Sequence, residues 1–182
     1  MGKLIIFLIL SIPLIVVSRR TLFKPHSHGF YRWFAWEGIL WLTLNNYVYW
    51  FDNPLGTNQI LAWICLIYSL VLLVGGFMTM YKEGRQQPAR EDSTLYQFEK
   101  TTKLIETGIF KYVRHPLYGS LLFLNWGIYF KNMQLDLMIV AILVSVFLYV
   151  TARIEEKENI TFFGGHYNDY IKRSKMFVPF LF

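Results

Sequence analysis

Five stretches of the chain, residues 4–17, 34–51, 59–81, 117–130 and 135–152, carry almost no charge and are built from aliphatic and aromatic side chains. Each comes near, or falls somewhat short of, the roughly 20 residues needed to cross a hydrocarbon core of about 30 Å. Apolar residues make up 54% of the chain and aromatics 19%, more than an ordinary globular domain uses, and the excess is gathered in these runs. The fold class they imply is all-α integral membrane, with five transmembrane helices.

Charge placement orients the runs, because short cytoplasmic loops collect Lys and Arg. Arg19, Arg20, Lys24 and Arg32 lie between the first two runs. Lys82, Arg85, Arg90, Lys100, Lys103, Lys111 and Arg114 lie between the third and fourth, and Arg153, Lys157, Lys172, Arg173 and Lys175 follow the fifth. Only Lys3 and Lys131 fall on the other side. The alternation predicts a multi-pass protein with its N-terminus outside and its C-terminus cytosolic. The first run superficially resembles a signal sequence, but Ser18-Arg19-Arg20 is not a small-residue cleavage site, so it is expected to be retained.

The formal charge of +6 does not point to nucleic acid. The positive residues border the apolar runs, where they set topology and attract anionic headgroups, and no soluble basic module is present. The expected partner is the lipid bilayer. Cys65 is the single cysteine and lies within the third run, which excludes internal disulfides and cysteine-based metal sites. No metal site is predicted.

The chain divides into residues 1–81, three helices, and residues 82–182, a long connector, a helical hairpin and a tail. The connector opens with charged residues, Gly84 and Pro88, which no membrane-embedded span would carry. It then places Leu95, Tyr96, Phe98, Leu104 and Ile105 among charges, as in a segment lying at the interface or folding over a site. The fourth run is short, about 21 Å at 1.5 Å per residue, and Pro116 suits its first helical turn. Within the second run, Glu37 is expected to pair with Arg32 or reach the interface, and Asn45-Asn46 are polar at membrane depth. Asn125 reads as an interhelical hydrogen-bonding residue.

Two polar clusters flank the hairpin at one membrane face. In Arg114-His115-Pro116-Leu117-Tyr118, Arg114 supplies a permanent charge with a planar donor fork, and Tyr118 lies one turn from His115. That set can hold a carboxylate or a ribose. The second cluster, Arg153-Ile154-Glu155-Glu156-Lys157-Glu158, reads either as a solvated helix end or as carboxylates placed to receive a cation. Phe162-Phe163-Gly164-Gly165-His166 breaks the fifth helix, glycine permitting positive φ. Tyr167 and Tyr170 then recur at helical spacing, in a tail that either docks on headgroups or closes a pocket.

Read in order from residue 104 to 179, these pieces resemble the integral-membrane methyltransferases grouped with isoprenylcysteine carboxyl methyltransferase and phosphatidylethanolamine N-methyltransferase. The resemblance rests on residues 104–118, then Glu155-Glu156, Phe163-Gly164, Tyr167, Tyr170 and Val178-Pro179. It implies a site for S-adenosyl-L-methionine, formed by the C-terminal hairpin and its cytosolic flanks. Consistent with that, no Gly-x-Gly-x-x-Gly turn follows a strand.

By the family pattern, Leu104 and Ile105 offer backbone contacts, and Phe110 or Tyr112 an aromatic wall. His115, Pro116, Tyr118 and Tyr167 contact the cofactor, and Glu155 and Glu156 take its polar or cationic parts. Glu155, Arg114 and Arg153 are the candidate catalytic residues. The sulfonium carries the activation, so alignment and water exclusion are the protein's main tasks.

Thr151 stands where carboxyl methyltransferases of this group carry an arginine resembling a substrate anchor. Arg153 points about 200° round the helix from it. The implied acceptor is lipophilic or lipidated: an isoprenylcysteine carboxylate-like group, a lipid head group, a quinone-like molecule, a small thiol or an amine. Two other readings stay open. One is an NADPH-dependent sterol-type membrane reductase, and the other a non-enzymatic lipid-binding membrane protein.

Overall fold

A computed structural model describes residues 2–83 and 103–181. Among them are six α-helices and no strand: α1 (Gly2–Leu22), α2 (His28–Asn46), α3 (Thr57–Glu83), α4 (Pro116–Tyr129), α5 (Leu135–Phe163) and α6 (Gly165–Arg173). Single 3₁₀ turns, Tyr47–Tyr49 and Gly108–Lys111, follow α2 and precede α4. Three helices, α1, α3 and α5, are long and apolar enough to cross a membrane. The expected connector residues Leu95, Tyr96 and Phe98 lie outside the described residues.

The long helices are built inside out relative to a water-soluble bundle. In α1 only Ser11, Ser18 and Thr21 are buried, while Leu4, Ile5, Leu8, Ile9, Ile12 and Val16 are exposed. The same holds in α3, whose buried stripe is Gln59, Ala62, Ser69, Leu72 and Gly76. Lipid tails are as apolar as leucine, so aliphatic side chains gain nothing by turning inward, and small or polar residues form the seams between helices.

The shortest of the five apolar helices, α4, sits at the centre. Eight of the 14 residues of α4 are buried, against three of 21 in α1. It packs most extensively on α3, and α2 packs most extensively on α5. At the α3–α4 seam, Gly127 lies so close to Ala62 and Leu66 that a Cβ there would meet Leu66 Cγ at 2.8 Å. Ser69 Oγ donates to the Ser120 carbonyl (2.7 Å), and Asn125 Nδ2 reaches across to the Ala141 carbonyl of α5 (3.0 Å). Such bonds satisfy backbone carbonyls in a medium without water.

Glu37 departs from expectation. Its Oε2 accepts from Ser11 Oγ at 2.6 Å, tying α2 to α1. Five residues of helix turn Glu37 about 140° away from Arg32, which excludes the expected pair. At the end remote from α6, Lys131 is buried. Its Nζ donates to Gln59 Oε1 (2.9 Å) and the Trp50 carbonyl (3.1 Å) and lies 3.7 Å from the Trp63 ring centroid. A residue expected to mark the outer face by its charge is therefore a buried fastening between α3 and the α4–α5 turn.

Candidate functional site at the α4 and α5 ends

Two structural accidents of the backbone bring the polar clusters together. The first is the tail: Ser174 to Met176 runs beside Tyr112 to His115 as a short parallel pairing. Lys175 N donates to the Tyr112 carbonyl (3.0 Å), Arg114 N to the Lys175 carbonyl (2.7 Å) and His115 N to the Met176 carbonyl (3.1 Å). His115, held outside the helical region before Pro116 (φ −121°, ψ 63°), thus enters α4 in a fixed pose. Met176 and Phe177 bury themselves against Tyr118 and Ala152, so the tail closes over α4.

The second is the length of α5, which continues past its apolar run to Phe163 before Gly164, at φ +62°, turns the chain into α6. Glu155, Asn159 and Phe163 are four residues apart and share one face. The amphipathic α6 buries Tyr167 and Tyr170 against that face.

The resulting cleft is lined by the α3 residue Met80, by Leu104, Ile105 and Phe110 of the connector, and by Arg114 to Tyr118. Glu155, Asn159, Phe163, Tyr167 and Tyr170 complete it. Tyr118 donates its hydroxyl to Glu155 Oε2 at 2.5 Å, and the His115 and Tyr118 rings stack 5.6 Å apart. Phe163 and Tyr167 stack at 6.4 Å on the other wall. The Tyr170 hydroxyl donates to the Phe110 carbonyl (2.6 Å), fixing the 3₁₀ turn against α6. Burial, reinforced for Tyr167 by the charge of Glu155 and for Tyr170 by neighbouring Tyr167, raises both phenols above their usual range and keeps them neutral donors.

Glu156 turns away from the cleft into a charge cluster. Arg114 Nε donates to its Oε1 at 2.8 Å, Arg153 Nη1 to its Oε2 at 3.1 Å, and His115 Nε2 stands 3.6 Å from Oε1. Arg114 Nη1 also donates to the carbonyls of Ile171 (3.2 Å) and Ser174. His115 Nε2 is buried and has no hydrogen-bond partner among the described residues.

Of the residues expected from sequence, Leu104, Ile105, Phe110, Arg114, His115, Pro116, Tyr118, Glu155 and Tyr167 line the cleft. Tyr112, Glu156 and Arg153 are not among the lining residues. Tyr112 closes the 3₁₀ turn with helical dihedrals (φ −107°, ψ −35°), is 46% exposed and faces Phe180. The Arg153 side chain is 53% exposed and supports Glu156 from outside.

Met80, Leu117, Asn159, Phe163 and Tyr170 also line the cleft and were not among the candidate site residues, although Phe163 and Tyr170 stood in the family pattern. Asn159 was recoverable, since it stands one turn beyond Glu155. Met80 carries no local signal, being one more apolar residue of α3. No group of three or more His, Cys, Asp or Glu suited to a metal ion occurs among the described residues.

Comparison with known proteins bears on this geometry. The phospholipid methyltransferase family model matches residues 58–170, from the first turn of α3 to Tyr170. A methanethiol S-methyltransferase from Pseudomonas sp. (strain GM41(2012)) is 26% identical over 141 residues, 78% of this chain and 53% of that protein. The chain thus spans about half the length of the curated relative it matches. No solved structure matches. The matched segment contains every residue of the cleft, and the chain belongs to the phospholipid methyltransferase family.

Proposed function

We propose that this chain is an S-adenosyl-L-methionine-dependent membrane methyltransferase (EC 2.1.1.-) acting on a lipophilic acceptor reached from the bilayer. The observation that carries the reading is Glu155, a carboxylate held by Tyr118 at 2.5 Å between aromatic walls, in a cleft at the end of the long α5. A cationic ligand with an apolar and aromatic periphery fits that surface. Leu104 and Ile105 border the same space with connector backbone. S-adenosylmethionine supplies an activated methyl on a sulfonium centre. The protein's own work is to align that group with the acceptor and keep water away, and the closed tail and α6 suit the second task.

The same geometry favours a neutral thiol or an amine over a carboxylate acceptor. Among the described residues Arg114 is the one Arg or Lys lining the cleft; it is engaged with Glu156 and two carbonyls, and Arg153 stands outside. Thr151 is buried, carries no charge and donates to the Phe147 carbonyl of its own helix. Glu155 and His115 are the groups placed to take the proton that an amine or thiol releases. The family name and the methanethiol relative agree in kind with such acceptors.

In the arrangement we favour, five helices cross the bilayer. The N-terminus is outside and the cleft is cytosolic, with residues 82–182 as the catalytic part. Methyl-labelled cofactor incubated with purified protein, a native lipid extract and a panel of small thiols tests the reading. Label in a lipid amine or a thioether product is expected. Label in the carboxyl terminus of a protein would overturn the acceptor assignment, and no transfer to any acceptor would overturn the enzyme.

A further inference from the structure

The three carboxylates at the end of α5 each have a different partner. Glu155 is held by Tyr118 and Glu156 by Arg114, both from the α4 end, whereas Glu158 is held from the opposite side by α2. His28 Nδ1 lies 2.7 Å from Glu158 Oε2, with His28 completely buried and Glu158 26% exposed. His28 opens α2, and that helix lies outside residues 58–170. The pose of His28 is fixed by the corner before it. A Cβ on Gly29 would meet Thr21 Cγ2 at 2.5 Å, so the Thr21 side chain at the end of α1 packs directly on the backbone at the start of α2. One turn along α2, Arg32 is also buried and lies over the Trp36 ring, and the charges of both His28 and Arg32 reach Glu155.

We infer that His28 is a positioning residue for the cleft: through Glu158 it sets the rotation of the last turns of α5, and so the aim of Glu155 and Asn159. The inference rests on the methyltransferase reading for its functional consequence. Its geometry is simple. Glu158 projects about 60° from Glu155 and about 100° from Asn159 around the helix, so a pull on Glu158 from α2 acts on the flank of the face that lines the cleft. The last turns of α5 lie beyond the apolar run, held on the cleft side by α4 and α6 and on the α2 side by the His28–Glu158 contact. An α2 that lies outside the family match would then be part of the site.

The test uses the full chain in detergent. His28→Ala, His28→Asn, Glu158→Gln and the His28→Ala/Glu158→Gln double variant are titrated with S-adenosylhomocysteine, alongside thermal melts and separate kcat and KM values. Asparagine keeps a donor near the place of Nδ1. His28→Ala and Glu158→Gln are expected to weaken binding by about fivefold each, a coupling usual for residues in contact, and the double variant no further than either alone. His28→Asn is expected to recover most of the affinity, with KM for the cofactor changed more than kcat.

Unchanged affinity in His28→Ala would overturn the inference. So would additive losses, or a loss that follows the melting temperature with no recovery by asparagine. If His28→Ala does not fold, Glu158→Gln alone decides, because its partly exposed side chain is replaced at equal size. No binding by the unmodified chain would overturn the methyltransferase reading itself, whereas binding that ignores His28 would overturn only this step.

Discussion

A run of charged residues after an apolar helix is ordinarily solvated, and Arg153 and Lys157 follow that rule. Glu156 does not. It is buried with Arg114 at 2.8 Å, their side chains 3% and 8% exposed, and this pair fastens α5 to the start of α4. Removing one partner of a buried pair leaves the other charge uncompensated and costs about 3–5 kcal/mol, whereas an exposed ion pair contributes about 0–1 kcal/mol. Glu156→Gln should therefore lower the thermal midpoint by several degrees, and Arg153→Ala should leave it nearly unchanged. Equal melting curves for the two variants in the same detergent would contradict the division of roles. Glu155 and Glu156 were legible from sequence as a pair. Their opposite aims, one into the cleft and one into a charge cluster, were not, because neighbours on a helix diverge by about 100° and only the tertiary partners say which direction matters. The partner of Glu158 was still further from view, 130 residues away on another helix.

At the scale of elements, the five apolar runs correspond to α1 to α5, but their roles within the bundle could not be read from hydrophobicity. In a bilayer the lipid-facing and protein-facing sides of a helix are both apolar, so α4 looked like its neighbours although it is the most enclosed of them. The polar exceptions were more informative: Asn125 bridges α4 and α5 as its position suggested. The connector shows a further constraint. Gly108 has φ +55°, and a Cβ there would stand 2.6 Å from Thr79 Oγ1, so the 3₁₀ turn bearing Phe110 is pressed onto the end of α3. Gly108→Ala combines a left-handed backbone penalty of about 1–2 kcal/mol with that clash. It should loosen the turn, destabilising the fold by a similar amount or more and weakening ligand binding through Phe110. A melting temperature equal to that of the unmodified chain would show that the turn is not held as described.

For the whole molecule, the arrangement of helices gives the charge pattern a test of its own. Asp52, in the exposed connection between α2 and α3, and Lys172, 76% exposed on α6, belong to opposite faces if five helices cross the bilayer. With Cys65, the single native cysteine, replaced by alanine, Asp52→Cys should react with a membrane-impermeant maleimide in intact cells. Lys172→Cys should react only after permeabilisation. Labelling of both from the same side would contradict the five-span reading.

The cleft ties these scales together. It is a product of α3, the connector, α4, α5 and α6, set by a few residues whose chemistry and whose meeting at one end of the hairpin were visible in the sequence, while the contributions of α3 and of Asn159 were not. Titration of the purified protein with S-adenosylhomocysteine, beside Glu155→Gln, is the direct measurement. Saturable binding is expected, weakened roughly 10-fold or more by loss of the carboxylate charge and of its bond to Tyr118, since hydrogen bonds to charged groups contribute about 1.5–3 kcal/mol. No binding by the unmodified chain, or equal binding by Glu155→Gln, would contradict the assignment of this cleft to the methyl donor.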